Sequence, residues 1–124
     1  MINLKPQIFK LLQEIKDAKQ VSYYYPCEWT NNKLPAISYY EAKNGVNEAT
    51  LDGGEFDSAI AVVVDIWAKS PSVCSAIAMQ VNEKMQALRF AREFSADLYE
   101  SVTGIHHKSM RFACVVNLKT SQIY

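Results

Sequence analysis

Residues 58–68, SAIAVVVDIWA, decide the fold class of this chain. The β-branched and aromatic content of this stretch favours a β-strand. One face of that strand would carry branched aliphatic side chains: Ile60, Val62, Val64 and Ile66. The opposite face would carry Ala59, Ala61, Val63, Asp65 and Trp67. Because both faces are mostly apolar, the pattern predicts a central strand that is covered on both sides.

A helix is predicted on each side of this strand. Residues 4–18 carry apolar side chains at helical spacing, and Pro6 falls in the first turn, where a missing N–H is tolerated. After the strand, Ser70 is a favourable N-cap and Pro71 a favourable first helical residue. That second helix would end near Leu88, with an apolar stripe made of Cys74, Ile77, Ala78, Val81, Met85 and Leu88.

The remaining strands are expected at residues 21–25, 36–43, 89–99 and 108–119. The alternation of 89–99 is irregular, with Phe90, Phe94, Ala96 and Leu98 on one face and Arg92 intruding. The order is then α-β-β-β-α-β-β, within a single domain that covers residues 1–124. Strands that cluster between helices are typical of an α+β fold with a mainly antiparallel sheet and both helices packed on one face. Residues 43–57 contain Asn-Gly and Asp-Gly-Gly turns, so we expect a flexible loop or hairpin there.

The charge balance excludes several functional classes. The chain of 124 residues has 13 basic and 13 acidic side chains. General nucleic-acid binding and adsorption to an anionic membrane both need clustered positive charge. We also expect no membrane span and no signal peptide, because the apolar runs are short and residues 2–19 carry charge throughout. Three widely spaced cysteines without a CxxC motif are typical of a reduced, cytosolic protein.

No residue pattern indicates catalysis, a metal or a cofactor. His106 and His107 fall at the end of the loop expected before the last strand. Adjacent residues on a strand point to opposite faces, so the two could bind one metal ion together only if the loop bent them. Cys74 and Cys114 fall on predicted core faces, where cysteine acts as a small apolar residue. The acidic residues within 41–57 lack the spacing of a calcium loop. We therefore expect a protein that is not an enzyme.

Asp65 is a carboxylate within the most apolar strand. A buried carboxylate needs a partner, because leaving it unpaired costs several kcal/mol. Arg111 and Lys119 project from the less apolar face of the last strand, so a cross-strand ion pair is predicted with one of them. A contact between subunits is the alternative.

Residues 21–41 contain five tyrosines and a tryptophan. Strand alternation divides these rings between the two faces of the sheet, with Tyr23 and Tyr25 opposite Tyr24, and Tyr39 opposite Tyr40. The segment also lacks the basic groove of a platform that stacks nucleic-acid bases. The candidate interface residues are Tyr24, Tyr40, Asp65, Trp67 and Arg111.

Four segments carry a family resemblance: INLKPQIFKLL (2–12), VSYYYPCEWTNNKLPAISYYEA (21–42), VVDIWAKSPS (63–72) and GIHHKSMRFACVV (104–116). Together they resemble the tail completion proteins, or tail-to-head joining proteins, of siphophages and prophages of Gram-positive bacteria. The resemblance covers nearly the whole chain, residues 43–56 least well. None of the matching segments is a catalytic signature, so the resemblance points to a structural family without a cofactor.

The resemblance implies a virion assembly protein whose fold is similar to that of phage tail terminators. Copies would form a ring, a hexamer, at the head-proximal end of the tail. The ring would join the tail tube protein to the head-completion or connector protein, with DNA passing through its lumen without specific contact. Its implied location is the host bacterial cytoplasm during assembly, then the virion tail or a prophage-derived particle. A monomeric, cytosolic, protein-binding adaptor that uses the same sheet face is the alternative.

Overall fold

The computed structural model describes residues 2–24, 33–49 and 55–124. These ranges form the elements α1 (Lys5–Gln13), β1 (Gln20–Tyr23), β2 (Ala36–Ala49), β3 (Glu55–Ala68), α2 (Pro71–Ala87), β4 (Ala91–Glu100), β5 (Ile105–Asn117) and β6 (Gln122–Ile123). The strands build a six-stranded sheet in the order β1-β2-β3-β5-β4, and β6 pairs with the end of β5. β1 and β2 are parallel and every other described pair is antiparallel. The expected α+β class is confirmed, with the short β6 as an addition.

The main core lies between one face of the sheet and both helices. It contains Ile8 and Leu12 of α1, Val81 of α2, and inward residues of the strands such as Val62 and Phe112. We call this side the helix face and the opposite side the second face. The strand residues of the second face include Ala36, Ser38, Tyr40, Ala59, Ala61, Val63, Asp65, Trp67, His107, Ser109, Arg111, Ala113 and Val115. None of the helices in the described ranges is long and apolar enough to span a membrane.

β3 is the central strand, as its sequence predicts. It pairs with β2 on one side and β5 on the other along most of its length. From Ser58 to Ala68 its helix face is fully buried, and on its second face Val63, Asp65 and Trp67 are each only 6% exposed. Trp67 belongs to a small second cluster with Leu34, Ala36 and Ile105. Apolar burial on both faces therefore makes this strand the organising element of the sheet.

α1 ends earlier than its apolar periodicity predicts. The α-helix stops at Gln13, and tighter turns continue the chain: the Ile15 N–H donates to the Leu12 carbonyl at 3.1 Å and the Ala18 N–H to the Ile15 carbonyl at 3.3 Å. These i to i−3 bonds keep Ile15 in the core, where it is 2% exposed. The apolar spacing therefore extends beyond the α-helix itself.

α2 begins and ends with recognisable caps. Ser70 is the N-cap as predicted, although its Oγ bonds to Ser72 Oγ at 2.8 Å instead of a backbone N–H. At the other end, Arg89 has a positive φ of 69°. Its N–H donates to the Gln86 carbonyl at 2.8 Å. The N–H of the buried Phe90 donates to the Met85 carbonyl at 3.0 Å. This Schellman motif turns the chain sharply from α2 into β4.

β2 and β3 are longer than the sequence indicates. They continue as paired strands through most of residues 43–57, up to the pair Ala49 and Glu55. The tip of the expected loop or hairpin, residues 50–54, lies outside the described residues. Residues 25–32, which include Tyr25, Cys27 and the expected turn-rich connection, also lie outside them.

β4 and β5 differ from the predicted strands in two ways. A register shift between Arg92 and Phe94 explains the irregular alternation of β4. Phe90, expected to share a face with Phe94, precedes the strand and lies in the helix-side core, so that prediction is wrong. β5 begins at Ile105, so His106 and His107 lie within a strand and not in the loop expected there.

Candidate interaction surface on the second face of the sheet

A polar network crosses the second face where β3 ends. The Nε2 of His107 lies 2.7 Å from Oδ1 of Asp65, and because a carboxylate oxygen only accepts, the imidazole donates. The indole Nε1–H of Trp67 donates to Ser38 Oγ at 2.9 Å. Ser38 is fully buried and Asp65 nearly so. The network therefore satisfies buried polar groups that link β2, β3 and β5.

Strand register explains why these side chains meet. Trp67 lies directly opposite His107, and Asp65 lies opposite both Ser38 on β2 and Ser109 on β5. Asp65 and His107 are therefore diagonal neighbours on one face, a distance that long side chains can bridge.

The predicted partners of Asp65 are wrong. Arg111 lies opposite Val63, and its Nε donates to Glu93 Oε1 at 2.8 Å. Lys119 follows the end of β5, at the far end of the sheet from Asp65. The partner of Asp65 is His107 instead. The sequence contained a signal for this contact. If the last strand had been predicted to include the histidine pair, alternation would have placed His107 on the same face as Asp65.

The Asp65–His107 pair resembles the orienting half of a catalytic triad, but its neighbours do not complete one. In residues 2–24, 33–49 and 55–124, the pair has no serine or cysteine bound to the imidazole, whose ring packs against Trp67. Burial raises the pKa of the Cys74 thiol, and it raises the pKa of the Cys114 thiol to about 12. Both thiols stay protonated at neutral pH and are poor nucleophiles. The same ranges contain no group of three potential metal ligands.

A tyrosine cluster occupies the β1 side of the sheet. Tyr24 stacks on Tyr40 with ring centroids 5.4 Å apart and planes within 4°. Tyr23 meets Tyr24 edge-on at 4.8 Å and Tyr39 at 5.3 Å. The rings divide as alternation predicts, with Tyr23 and Tyr39 on the helix face and Tyr24 and Tyr40 on the other. Lys5 Nζ lies 5.3 Å from the Tyr23 ring centroid, which adds a cation–π contact.

Tyr24 has a left-handed backbone, with φ of 73°. For a bulky residue this conformation costs about 1 kcal/mol or more. A hydrogen bond of 2.9 Å from the Tyr24 N–H to the Tyr39 carbonyl holds it, together with the stacked Tyr40 ring. The strained turn leaves the Tyr24 ring 53% exposed. A rigid, exposed aromatic ring of this kind is typical of interface residues.

The other side of the second face ends in exposed apolar side chains on β4. Phe94 is 48% and Leu98 53% exposed, opposite Arg111 and His107 of β5. A shallow groove crosses β3 and β5 on the second face, lined by Lys43, Ala59, Ala61, Glu93, Arg111 and Ala113. Small apolar side chains with a charged rim match the usual composition of a protein interface.

The candidate interface residues all lie on the second face, but they play different parts. Tyr24 is exposed, and Tyr40 and Arg111 are half-buried. Asp65 and Trp67 are buried and support the surface from beneath. Sequence reasoning missed His107, Phe94 and Leu98. The sequence pattern placed Phe94 and Leu98 on one face of their strand, but only the pairing of β4 with β5 identifies that face as the second face.

Comparison with models of known protein families finds no match for this chain, and comparison with curated protein sequences finds none either.

Proposed function

We propose that this chain is a structural assembly subunit that joins protein neighbours through the second face of its sheet. The observation that carries the proposal is the combination of exposed Tyr24, Phe94 and Leu98 with the rigid polar network beneath them. Interfaces need aromatic and aliphatic anchors held in place by packed neighbours, because ordering mobile side chains on binding is unfavourable.

The specific role we propose is tail completion in a phage or prophage particle. The sequence resemblance described above supports this role, and the size and sheet architecture are compatible with it. Copies would form a ring at the head-proximal end of the tail, between the tail tube protein and the head connector. The balance of 13 basic and 13 acidic residues suits a lumen through which DNA passes without being held.

The test is complementation of a deletion strain. Particles that lack this chain should accumulate as separate heads and tails, counted by electron microscopy, and the wild-type chain should restore joined virions. A variant carrying Phe94→Ser and Leu98→Ser should restore few joined virions, because it removes the exposed anchors while leaving the buried network. Met79→Ser is the matched control, since Met79 is 69% exposed on α2, away from the second face.

Two outcomes would overturn the tail completion role. Normal infectious particles from the deletion strain would exclude it directly. A persistent monomer that never associates with purified tail tubes would favour the protein-binding adaptor instead. If the Met79 variant failed as badly as the double variant, the second face would have no special part in assembly.

A further inference from the structure

β4 is an edge strand that is exposed on both faces. It ends the strand order of the sheet and pairs only with β5 among the described strands. All ten of its residues are exposed except the half-buried Ala96. From Phe94 to Glu100 its pairing with β5 is regular, without a register shift. An edge strand with exposed apolar side chains is a template for pairing with another chain.

Pairing of two β4 strands from identical copies obeys a geometric restriction. The two strands must run antiparallel, related by a two-fold axis normal to the sheet. That axis lies between the strands, midway between the two copies of one residue, which we call the central residue. Residues opposite each other then point to the same face and form cross-strand pairs. Each choice of central residue fixes a different set of pairs.

Packing and charge favour Ala96 as the central residue. With the axis at Ser95, Leu98 reaches the bulge at Arg92 of the partner subunit instead of an apolar side chain. With the axis at Asp97, that carboxylate meets its own copy. Like charges directly opposite each other are destabilising. Larger shifts draw in the bulge between Arg92 and Phe94 or run past the end of β4.

The register centred on Ala96 is favourable at each position from Phe94 to Leu98. Phe94 lies opposite the partner subunit's Leu98, and Ser95 opposite the partner subunit's Asp97, which its hydroxyl can reach. The second faces then join through Phe94, Ala96 and Leu98 of both copies. The strand is therefore complementary to itself in one register.

We propose that the free chain forms a two-fold dimer by pairing β4 with β4 of a second copy, centred on Ala96. The occupant of this edge is thus another molecule of the same chain. The inference does not rest on the proposed function. The dimer would bury Phe94 and Leu98, which the proposed function uses to join other neighbours. Assembly through these side chains would therefore require this dimer to separate.

Cross-linking tests the register. Ala96→Cys, in a Cys27→Ser background, places two thiols next to the two-fold axis, so a short bifunctional maleimide should link the copies. The yield should exceed that of Met79→Cys by roughly tenfold, because pairing raises the effective concentration of the two thiols. Under mild oxidation, which joins only thiols in direct contact, Ser95→Cys and Asp97→Cys should each form little disulfide alone, while the double variant should form it readily.

Sedimentation equilibrium tests the association itself. The wild-type chain should show a concentration-dependent dimer, and Leu98→Lys should shift it to monomer, with circular dichroism showing that the variant remains folded. A wild-type chain that stays monomeric at every concentration would overturn the proposal. So would equal cross-linking of the Ala96 and Met79 variants. None of these results would alter the outcome of the complementation test.

Discussion

The imidazole of His107 lies flat against the indole of Trp67, with ring centroids 3.7 Å apart and planes within 12°. The same imidazole donates to Asp65, two residues earlier on β3. One histidine of β5 therefore holds two side chains of the central strand. A hydrogen bond and a stacked ring restrict different motions of the imidazole, so the three side chains act as a single rigid unit on the second face.

Replacing His107 with alanine should lower the free energy of unfolding by about 3 kcal/mol, because it leaves the buried Asp65 carboxylate without its donor. Urea unfolding measures the loss. Asp97→Ala is the control: Asp97 pairs with Lys108 at 3.1 Å, but its side chain is 77% exposed. An exposed pair contributes about 1 kcal/mol or less. Equal losses for the two variants would contradict the role assigned to His107.

Asp65→Leu should be tolerated less well than Lys33→Ala. The leucine removes the acceptor of the His107 N–H within the second face, which costs about 1–3 kcal/mol. Lys33 is exposed, and its side chain lies away from the core. Melting temperatures and assembly yields should both separate the variants. Equal values for both properties would refute the prediction.

Trp67→Phe should destabilise the fold by about 1–2 kcal/mol, since Ser38 Oγ loses a buried donor. Ser38→Ala removes the other partner. In a double-mutant cycle the two changes should be non-additive, with a coupling energy of about 1 kcal/mol. Denaturant unfolding of the four proteins gives the cycle. Strict additivity would mean that the bond contributes nothing to stability.

Arg89→Gly should stabilise the protein by roughly 1 kcal/mol, because glycine adopts the left-handed conformation at this helix end without steric strain. Glu83→Gly is the matched control, since Glu83 is an exposed residue in the interior of α2. There glycine should be destabilising by about 1 kcal/mol. The prediction fails if both glycines shift the thermal unfolding midpoint in the same direction.

The alkaline stability of the protein should depend on Cys114. Burial raises the pKa of its thiol from 9.0 to about 12. Between these values the unfolded thiol ionises while the folded thiol stays protonated, so stability is full below pH 9 and falls as the pH rises toward 12. Cys114→Ala lacks this contribution, and its stability should decline less steeply over the same range. Parallel declines in urea unfolding midpoints would show that the thiol is not responsible.

The sequence pattern predicted most accurately the elements that bury one continuous apolar stripe or face. β3 and α2 carry uninterrupted apolar patterns, and the buried residues of α2 all belong to its predicted stripe. The errors arise where pairing with a neighbour decides the outcome. β5 begins at Ile105 because the end of β3 pairs with it, out to Ala68 and His106. Residues 101–107 contain no apolar alternation that would have revealed this start.

The sequence predicted which residues share the second face, but it did not predict which of them contact each other. Alternation assigned Tyr24, Tyr40, Asp65 and Trp67 to one face, since a period of two depends only on neighbours in sequence. The partner of Asp65 depends on the register between β3 and β5, which sets residues from distant parts of the chain side by side. Register is a tertiary property, so the residue types alone favoured Arg111 over His107.

The central position of β3 also affects the order in which the chain can fold. β2 and β3 are adjacent in sequence and can pair as a local hairpin. Pairing of β3 with β5 joins residues as distant as Asp57 and Asn117, with α2 and β4 between them. Closing that longer loop loses more chain entropy before any contact compensates for it. We therefore expect β5 to pair with β3 after β2 has done so, which would make the chain slower to fold than its local hairpin.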